Sequence, residues 1–435
     1  MKVMKPPILI YLLFCSICVK AQSVSQHITE SDVARIIKKL SADEMLGRAV
    51  FTEGAERAAG FIESEFKAIG LQPLQDEAGF RQTFSKTVIT AEKTELKIGG
   101  ENVDLKNVLL LTDKPELHLS DTSKVEIVAV KPGEKLFLRF QEITGGGNNK
   151  RVLVFVDPQF ELEFKQLKEH FSKSRVVDEV NNQAAAIFVL GKQRAGKISV
   201  DFKNRIEIKS LFNVVGILPG KSKAKEFVVF SAHYDHLGIV EALEGDSIAN
   251  GADDDASGVT AVISLARYFK KLNNNERTLI FVGLTAEETG GYGSRYFSSK
   301  LNSDDVVAMF NIEMIGKESK FGMNAAFITG YEKSDFGAIL QRNLKGTEFT
   351  FHPDPYPDQN LFYRSDNAAL AALGVPAHTV STDQIDIDKF YHTVNDEFET
   401  LNVANITATI RAIALSSRSI VAGTDTPTRI EKLKK

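Results

Sequence analysis

The chain has 435 residues, 43% hydrophobic and 25% charged, a globular composition with room for two or three domains of about 100–200 residues each. Lys plus Arg total 53 against 57 Asp plus Glu, and the net charge of −4 excludes an overall basic field for nucleic acid or an anionic membrane. The only cysteines, Cys15 and Cys18, both lie in one apolar run at the start, residues 8–19.

That run follows Lys2 and Lys5 and precedes Val19-Lys20-Ala21, the pattern of an export signal cut after Ala21. It is shorter than the about 20 apolar residues a bilayer span needs. Phe14 and Ile17 precede the two cysteines where lipid attachment needs a small residue. Residues 1–21 are therefore expected to be a signal peptide, and the mature chain to be periplasmic or extracellular in a bacterium, with no disulfide and no membrane span.

Residues 22–85 read as helical at first. Ser31 is expected to cap a helix carrying Val33, Ile36, Ile37 and Leu40, and a second helix sets Ala55, Ala58, Ala59, Ile62, Phe66 and Ile69 on one face before Gly70 stops it. Residues 86–210 change to short β-rich runs at 108–111, 125–130 and 151–156. A turn at Gly145-Gly146-Gly147-Asn148-Asn149, a helix near 161–171 and an apolar run at 184–190 follow. Over 211–425, apolar runs of strand length (227–231, 278–284, 306–312, 375–380) alternate with helical stretches (259–271, 403–421), and 426–435 is a tail. The pattern predicts an α/β fold, a three-layer α/β/α sandwich with a mostly parallel mixed central sheet, interrupted by a smaller β-rich insertion domain.

Five segments of the second half put polar, metal-competent residues where an apolar strand ends, the usual place for a ligand in an open α/β sheet. In Ser231-Ala232-His233-Tyr234-Asp235-His236, His233 can ligate through one ring nitrogen while Asp235 holds the other. By itself His-x-Asp is as often structural, and His236 adds little. In Asn250 to Gly258, Asp253, Asp254 and Asp255 repel one another unless a cation or a helix N-terminus offsets them; an acidic turn capped by Ser257 is the plainer alternative. Glu287 and Glu288 follow a strand and point different ways, so one can bind a metal while the other serves as general base. Glu313 interrupts the apolar run Phe310-Asn311-Ile312-Glu313-Met314-Ile315, a costly place for an unpaired carboxylate. Tyr391-His392 offers a second histidine. Two histidines, at least three carboxylates and a spare glutamate suit two Zn²⁺ ions better than one, and suit calcium poorly.

Together these motifs resemble the zinc aminopeptidases of metallopeptidase family twenty-eight, bacterial secreted members above all. So do Asp43-Glu44-Met45-Leu46-Gly47-Arg48 and the stretch Gln359 to Asp366. The resemblance covers about 28–85 and 211–422. It implies that Asp254 bridges two zinc ions, that His233 and Glu313 complete one and Glu288 and His392 the other. It further implies that Glu287 takes a proton from the attacking water and passes it to the leaving amine, with Asp235 orienting His233. Asp366 and Tyr391 become substrate-side residues, and peptides the substrate. Two positions depart from the pattern: Glu313 stands where Asp is usual, and Asn367 where His is common. The insertion is loosely similar to a protease-associated domain, with a divergent lid as the alternative.

Three other readings meet specific residues. A single-zinc glutaminyl cyclase shares the architecture but would not be expected to keep His233. A serine hydrolase needs a G-x-S-x-G elbow, which does not occur. A catalytically silent binding protein would have lost Glu287 or a ligand, and every position holds a competent residue. Spacing by itself does not say which peptide terminus is read, nor the oligomeric state.

Overall fold

The computed structural model describes residues 24–433 apart from 76, 121–124, 146–149, 173, 179, 181–183 and 193–195. The expected signal peptide with both cysteines lies outside the described residues, as does most of the glycine turn at 145–149. Among the described residues no helix is long and apolar enough to cross a membrane. Contacts divide the chain into two units, one of the residues up to Phe84 and from Leu211 onward, the other Ser85–Ser210.

The first unit opens with α1 (Glu30–Leu40), an amphipathic helix whose Val33, Ile36, Ile37 and Leu40 are buried. Its N-cap is Thr29 rather than the expected Ser31: the Thr29 hydroxyl accepts the N–H of Asp32 at 3.2 Å, and Thr29 is the residue in extended conformation. Helix α2 (Glu53–Ile69) ends at Gly70, whose φ of 79° is the left-handed value that favours glycine at this place.

The sheet is then built from β1 (Ile198–Leu218, of which 211–218 belong here), β2 (Lys223–His233), β3 (Arg277–Leu284), β4 (Val306–Ile312), β5 (Ala325–Ile328), β6 (Thr350–Pro353) and β7 (Ala377–Ser381). Their order is β6-β5-β7-β4-β2-β3-β1. The four central strands β7, β4, β2 and β3 run parallel, while β1 and the β5–β6 pair run against them. Strands β3 and β4 are buried at every residue, as strands covered on both faces must be.

Alternation sends their side chains into two cores. Val228, Phe230, Phe281 and Phe310 pack with α1, α2, the helix α3 (Gly258–Leu272) and α4 (Val403–Ser416), and Phe230 stacks on Phe310 with centroids 4.9 Å apart. Val229, Ile280, Val282 and Met309 face the opposite layer, formed by Phe297, Leu370 and Ala371. The expected helix over 403–421 stops at Ser416 and resumes as a short helix, Arg418–Val421.

The second unit has a four-stranded sheet in the order Val108–Thr112, Ala185–Leu190, Arg151–Val156, Glu126–Val130. One face, with Val152, Val154 and Phe188, packs on Leu136, Phe140, Phe160 and Phe164 of its helical segments. The other, with Leu153, Phe155 and Ile187, packs on strand residues such as Leu117, Val200 and Phe202.

Candidate metal centre

Strand register assembles the site. Ser231 of β2 pairs with Asn311 of β4, so two residues further along these parallel strands His233 and Glu313 leave the sheet side by side. On the opposite edge of β2, His233 pairs with Leu284, and Thr285-Ala286 then lead to Glu287 and Glu288. The three aspartates arrive between β2 and α3, and they do different work. Asp253 accepts the Gly316 N–H at 2.7 Å. Asp255 accepts three N–H groups, those of His233 at 3.3 Å, Gly258 at 3.0 Å and Met314 at 3.1 Å. The loop is held against β4 so closely that a Cβ on Gly258 would meet the Ile312 carbonyl at 2.1 Å. Asp254 is left to face the cluster.

Its two oxygens point at different histidines. Oδ1 is 3.1 Å from His233 Nε2, and Oδ2 is 3.3 Å from His392 Nε2 and 3.7 Å from His236 Nδ1. Glu288 closes the group, with Oε2 3.2 Å from His392 Nε2 and Oε1 2.8 Å from His236 Nδ1. The ligand-type atoms of His236, Asp254 and Glu288 all lie within 4.8 Å of one another, a spacing that could hold a cation. Glu313 accepts from Asn311 Nδ2 at 3.3 Å and from the Ser365 hydroxyl.

The cluster is buried and charged. Burial drives the pKa values of Glu287 and Glu313 well up, opposed by His233 and aided by nearby carboxylates, Glu313 and Asp366 for Glu287 and Asp255, Asp254 and Asp366 for Glu313. Burial would lower the pKa of His392, but its hydrogen bonds to Asp254 and Glu288 push it up to about 10. Asp254 is held well below the usual carboxylate range by His236, His233 and His392, against burial. Four carboxylates, Asp254, Glu287, Glu288 and Glu313, and three histidines, His233, His236 and His392, make a buried donor set of mixed N and O ligands whose charge a divalent cation would relieve.

Two predicted roles take a different form. The sequence reading has the Asp235 carboxylate orient His233; in the structure that carboxylate is 3.9 Å from Nδ1, and the main-chain carbonyl of the same residue faces Nδ1 at 3.1 Å. The Asp235 carboxylate instead accepts the Glu287 N–H at 3.2 Å. Asp366 is 2% exposed and has no place in the lining of the cleft beside the cluster. Tyr391 does line that cleft and stacks on His392, ring centroids 3.9 Å apart.

Three contributors escaped the sequence reading. His236, dismissed there, is buried against Glu288. Asp396 accepts the N–H groups of Asp253 and Asp254 at 3.0 Å each. Arg48, 1% exposed, donates to the carbonyls of Tyr234, Leu40, Gly251 and Asp254 at 2.8, 2.9, 2.9 and 3.2 Å, and to that of Asn250, so one guanidinium ties both metal-facing loops to the N-terminal segment. Its place in the motif Leu46-Gly47-Arg48 was the available signal.

Parallel strands thus end in a buried group of histidines and carboxylates able to hold a metal ion. Residues 213–416 match the model of peptidase family M28. A probable zinc metalloprotease of Leptosphaeria maculans is 32% identical over 109 residues, 25% of each chain. A vacuolar membrane protease of Schizosaccharomyces pombe is 35% identical over 108 residues, 25% of this chain and 12% of that one. The chain thus spans a quarter or less of the length of these curated relatives. Among solved structures, an aminopeptidase from Aneurinibacillus sp. strain AM-1 superposes with a TM-score of 0.57 at 19% identity, over 95% of this chain and 97% of that one. A peptidase M28 precursor from Shewanella amazonensis SB2B gives 0.51 at 16% identity, over 96% and 98%. These structures share the mixed α/β fold.

Proposed function

We propose that the protein is an exported dinuclear zinc aminopeptidase, removing N-terminal residues from peptides. The observation that carries the reading is that the two oxygens of one buried carboxylate, Asp254, face two different histidines at 3.1 and 3.3 Å, the disposition of a shared ligand. His233 and Glu313 would hold one zinc with Asp254, and Glu288 and His392 the other. Bound zinc would polarise the scissile carbonyl and acidify the attacking water.

The chain's own groups supply the rest. Glu287 lines the cleft, and burial biases it toward holding a proton, so it is suited to accept one from water and deliver it to the leaving amine. The Asp235 carboxylate fixes Glu287 through the main-chain N–H, and His236 fixes Glu288 on the oxygen turned away from His392. His392, with its side chain 38% exposed, opens the cluster to substrate. The excess of carboxylates is suited to a substrate's free α-ammonium, and the family and the aminopeptidase-like fold support that choice of terminus.

The test is a panel of free and N-blocked aminoacyl amides, assayed with chelator and after adding zinc back, with bound metal counted. Expected are cleavage of free substrates only, loss with chelator, restoration by zinc and about two zinc ions per chain. Hydrolysis of N-blocked substrates, or activity indifferent to chelator, would overturn the reading. Sequencing the N-terminus of secreted material tests the export step, with Gln22 expected first.

A further inference from the structure

The cleft beside the metal-competent cluster is lined by Glu287, Glu313 and His392, and also by Met314, Phe327, Leu361, Ile385 and Asp383. The first four of these last are apolar and make a channel suited to an aliphatic stem. Asp383 is the exception. It is 4% exposed, and its Oδ1 has no hydrogen-bond partner.

Its acidic neighbours keep it protonated: Asp253 and Asp388 oppose its charge, and Asp388 shares a side-chain hydrogen bond with it. Asp253 and Asp388 stand close enough that the three carboxylates form one group within 4.8 Å. The nearest cation, Lys317, is engaged elsewhere, with Nζ 3.3 Å from Asp253 Oδ2 and 2.5 Å from Asp388 Oδ2. Burial first, then Asp253 and Asp388, push the Asp383 carboxyl up to about 8, so a cation arriving from the cleft would find a group that gains by ionising beside it. Arg364, a cation in the same lining, is exposed and turned to Gln359, to whose Oε1 its Nη1 donates at 3.2 Å.

We infer that Asp383 is a specificity-determining residue that reads a cationic side chain, so that the preferred substrates are peptides beginning with lysine or arginine. The inference rests on the aminopeptidase reading and deepens it. The aliphatic part of such a side chain would run past Met314, Phe327 and Ile385, and its ammonium or guanidinium would supply the partner that Oδ1 lacks. A neutral aliphatic residue would fill the channel and leave the carboxyl unmet, the asymmetry by which a buried polar group discriminates strongly between substrates.

The experiment compares kcat/KM for Lys, Arg, Leu and Glu aminoacyl amides on the zinc-loaded full chain and on Asp383→Asn, with zinc content measured for both. Expected is a preference of the wild type for Lys and Arg over Leu of at least about tenfold, and a fall of that ratio by about tenfold or more in the variant, Lys hydrolysis dropping further than Leu hydrolysis. Equal or faster cleavage of the Leu substrate by the wild type overturns the inference, and does so even if Asp383→Asn fails to fold. So does a variant of unchanged zinc content and unchanged Lys-to-Leu ratio. If no free aminoacyl substrate is cleaved by zinc-loaded protein, the aminopeptidase reading itself falls, which is a different result.

Discussion

Two buried carboxylate clusters lie one residue apart in the chain and solve the same electrostatic problem differently. Asp254, with Glu288, faces histidines at 3.1 to 3.3 Å. Asp253, with Asp388, is paired to the ammonium of Lys317. A resident lysine carries its charge permanently at neutral pH; imidazoles are neutral ligands once a metal is present. The first arrangement therefore leaves net negative charge for a removable cation, and the second has its cation built in. Acid content does not tell a metal centre from a structural ion pair. The identity of the base does.

Removing Asp254, the carboxylate proposed to be shared between two metals, should break the first cluster most completely. Asp254→Asn is expected to bind fewer than about one zinc per chain and to lose hydrolysis down to background, measured by metal analysis and single-substrate kinetics. Glu287→Gln comes next. It should keep zinc at the wild-type level and lower kcat by about 10²- to 10⁴-fold, because it removes a proton carrier and no ligand. Activity near wild type would strip Glu287 of that role.

Lys317→Met tests the second cluster. With its cation gone, Asp253 and Asp388 are buried without a counter-charge, and stability should fall by about 3 kcal/mol in urea titration. Zinc content should hold, since the ion-pair partners of Lys317 are Asp253 and Asp388, neither of them in the group of Asp254 and Glu288. Loss of zinc in a folded Lys317→Met protein would show that the two clusters are one.

How much of this could be read from residues alone follows from which interactions leave a pattern. Strands β3 and β4 announce themselves as uninterrupted apolar runs because both faces are buried, and the helix Glu161–Phe171 begins and ends where its periodicity does. Strands β5 and β6 are four residues each, too short for any period, and both escape notice. Ser31 looked like a helix cap by residue type, but Thr29 holds the extended backbone a cap needs. At the site, His233, Glu287 and Glu313 stood out because a polar residue at the end of an apolar run is conspicuous. The work of Asp396 and Arg48, and the division of labour that turns Asp255 to the backbone, did not, because these residues act on main-chain N–H and C=O groups, which every residue carries. Asp383 is conspicuous only by what fails to touch it.

His378 is the control for the comparison, a third kind of buried histidine whose hydrogen-bond partners are a hydroxyl and a carbonyl, with Glu332 acting on it only through charge. Its Nδ1 is 2.8 Å from the Thr329 carbonyl and its Nε2 2.7 Å from the Ser334 hydroxyl, so the ring is held neutral as donor at one nitrogen and acceptor at the other. Burial, with Lys333 nearby, pulls its pKa down to about 4. Because the folded value lies below the unfolded one of about 6.5, the unfolded chain takes up this proton first, and the stability the residue lends is full above pH 6.5 and is lost as pH falls toward 4. At pH 5 that amounts to roughly 2 kcal/mol relative to pH 7. His378→Gln should cut this part of the acid destabilisation, so urea titrations of the two proteins at pH 7 and pH 5 should converge by about that amount as the pH drops. Parallel loss in both would mean that the histidine is already charged in the folded state, and that burial without a carboxylate partner does not suffice to set it apart from His233 and His392.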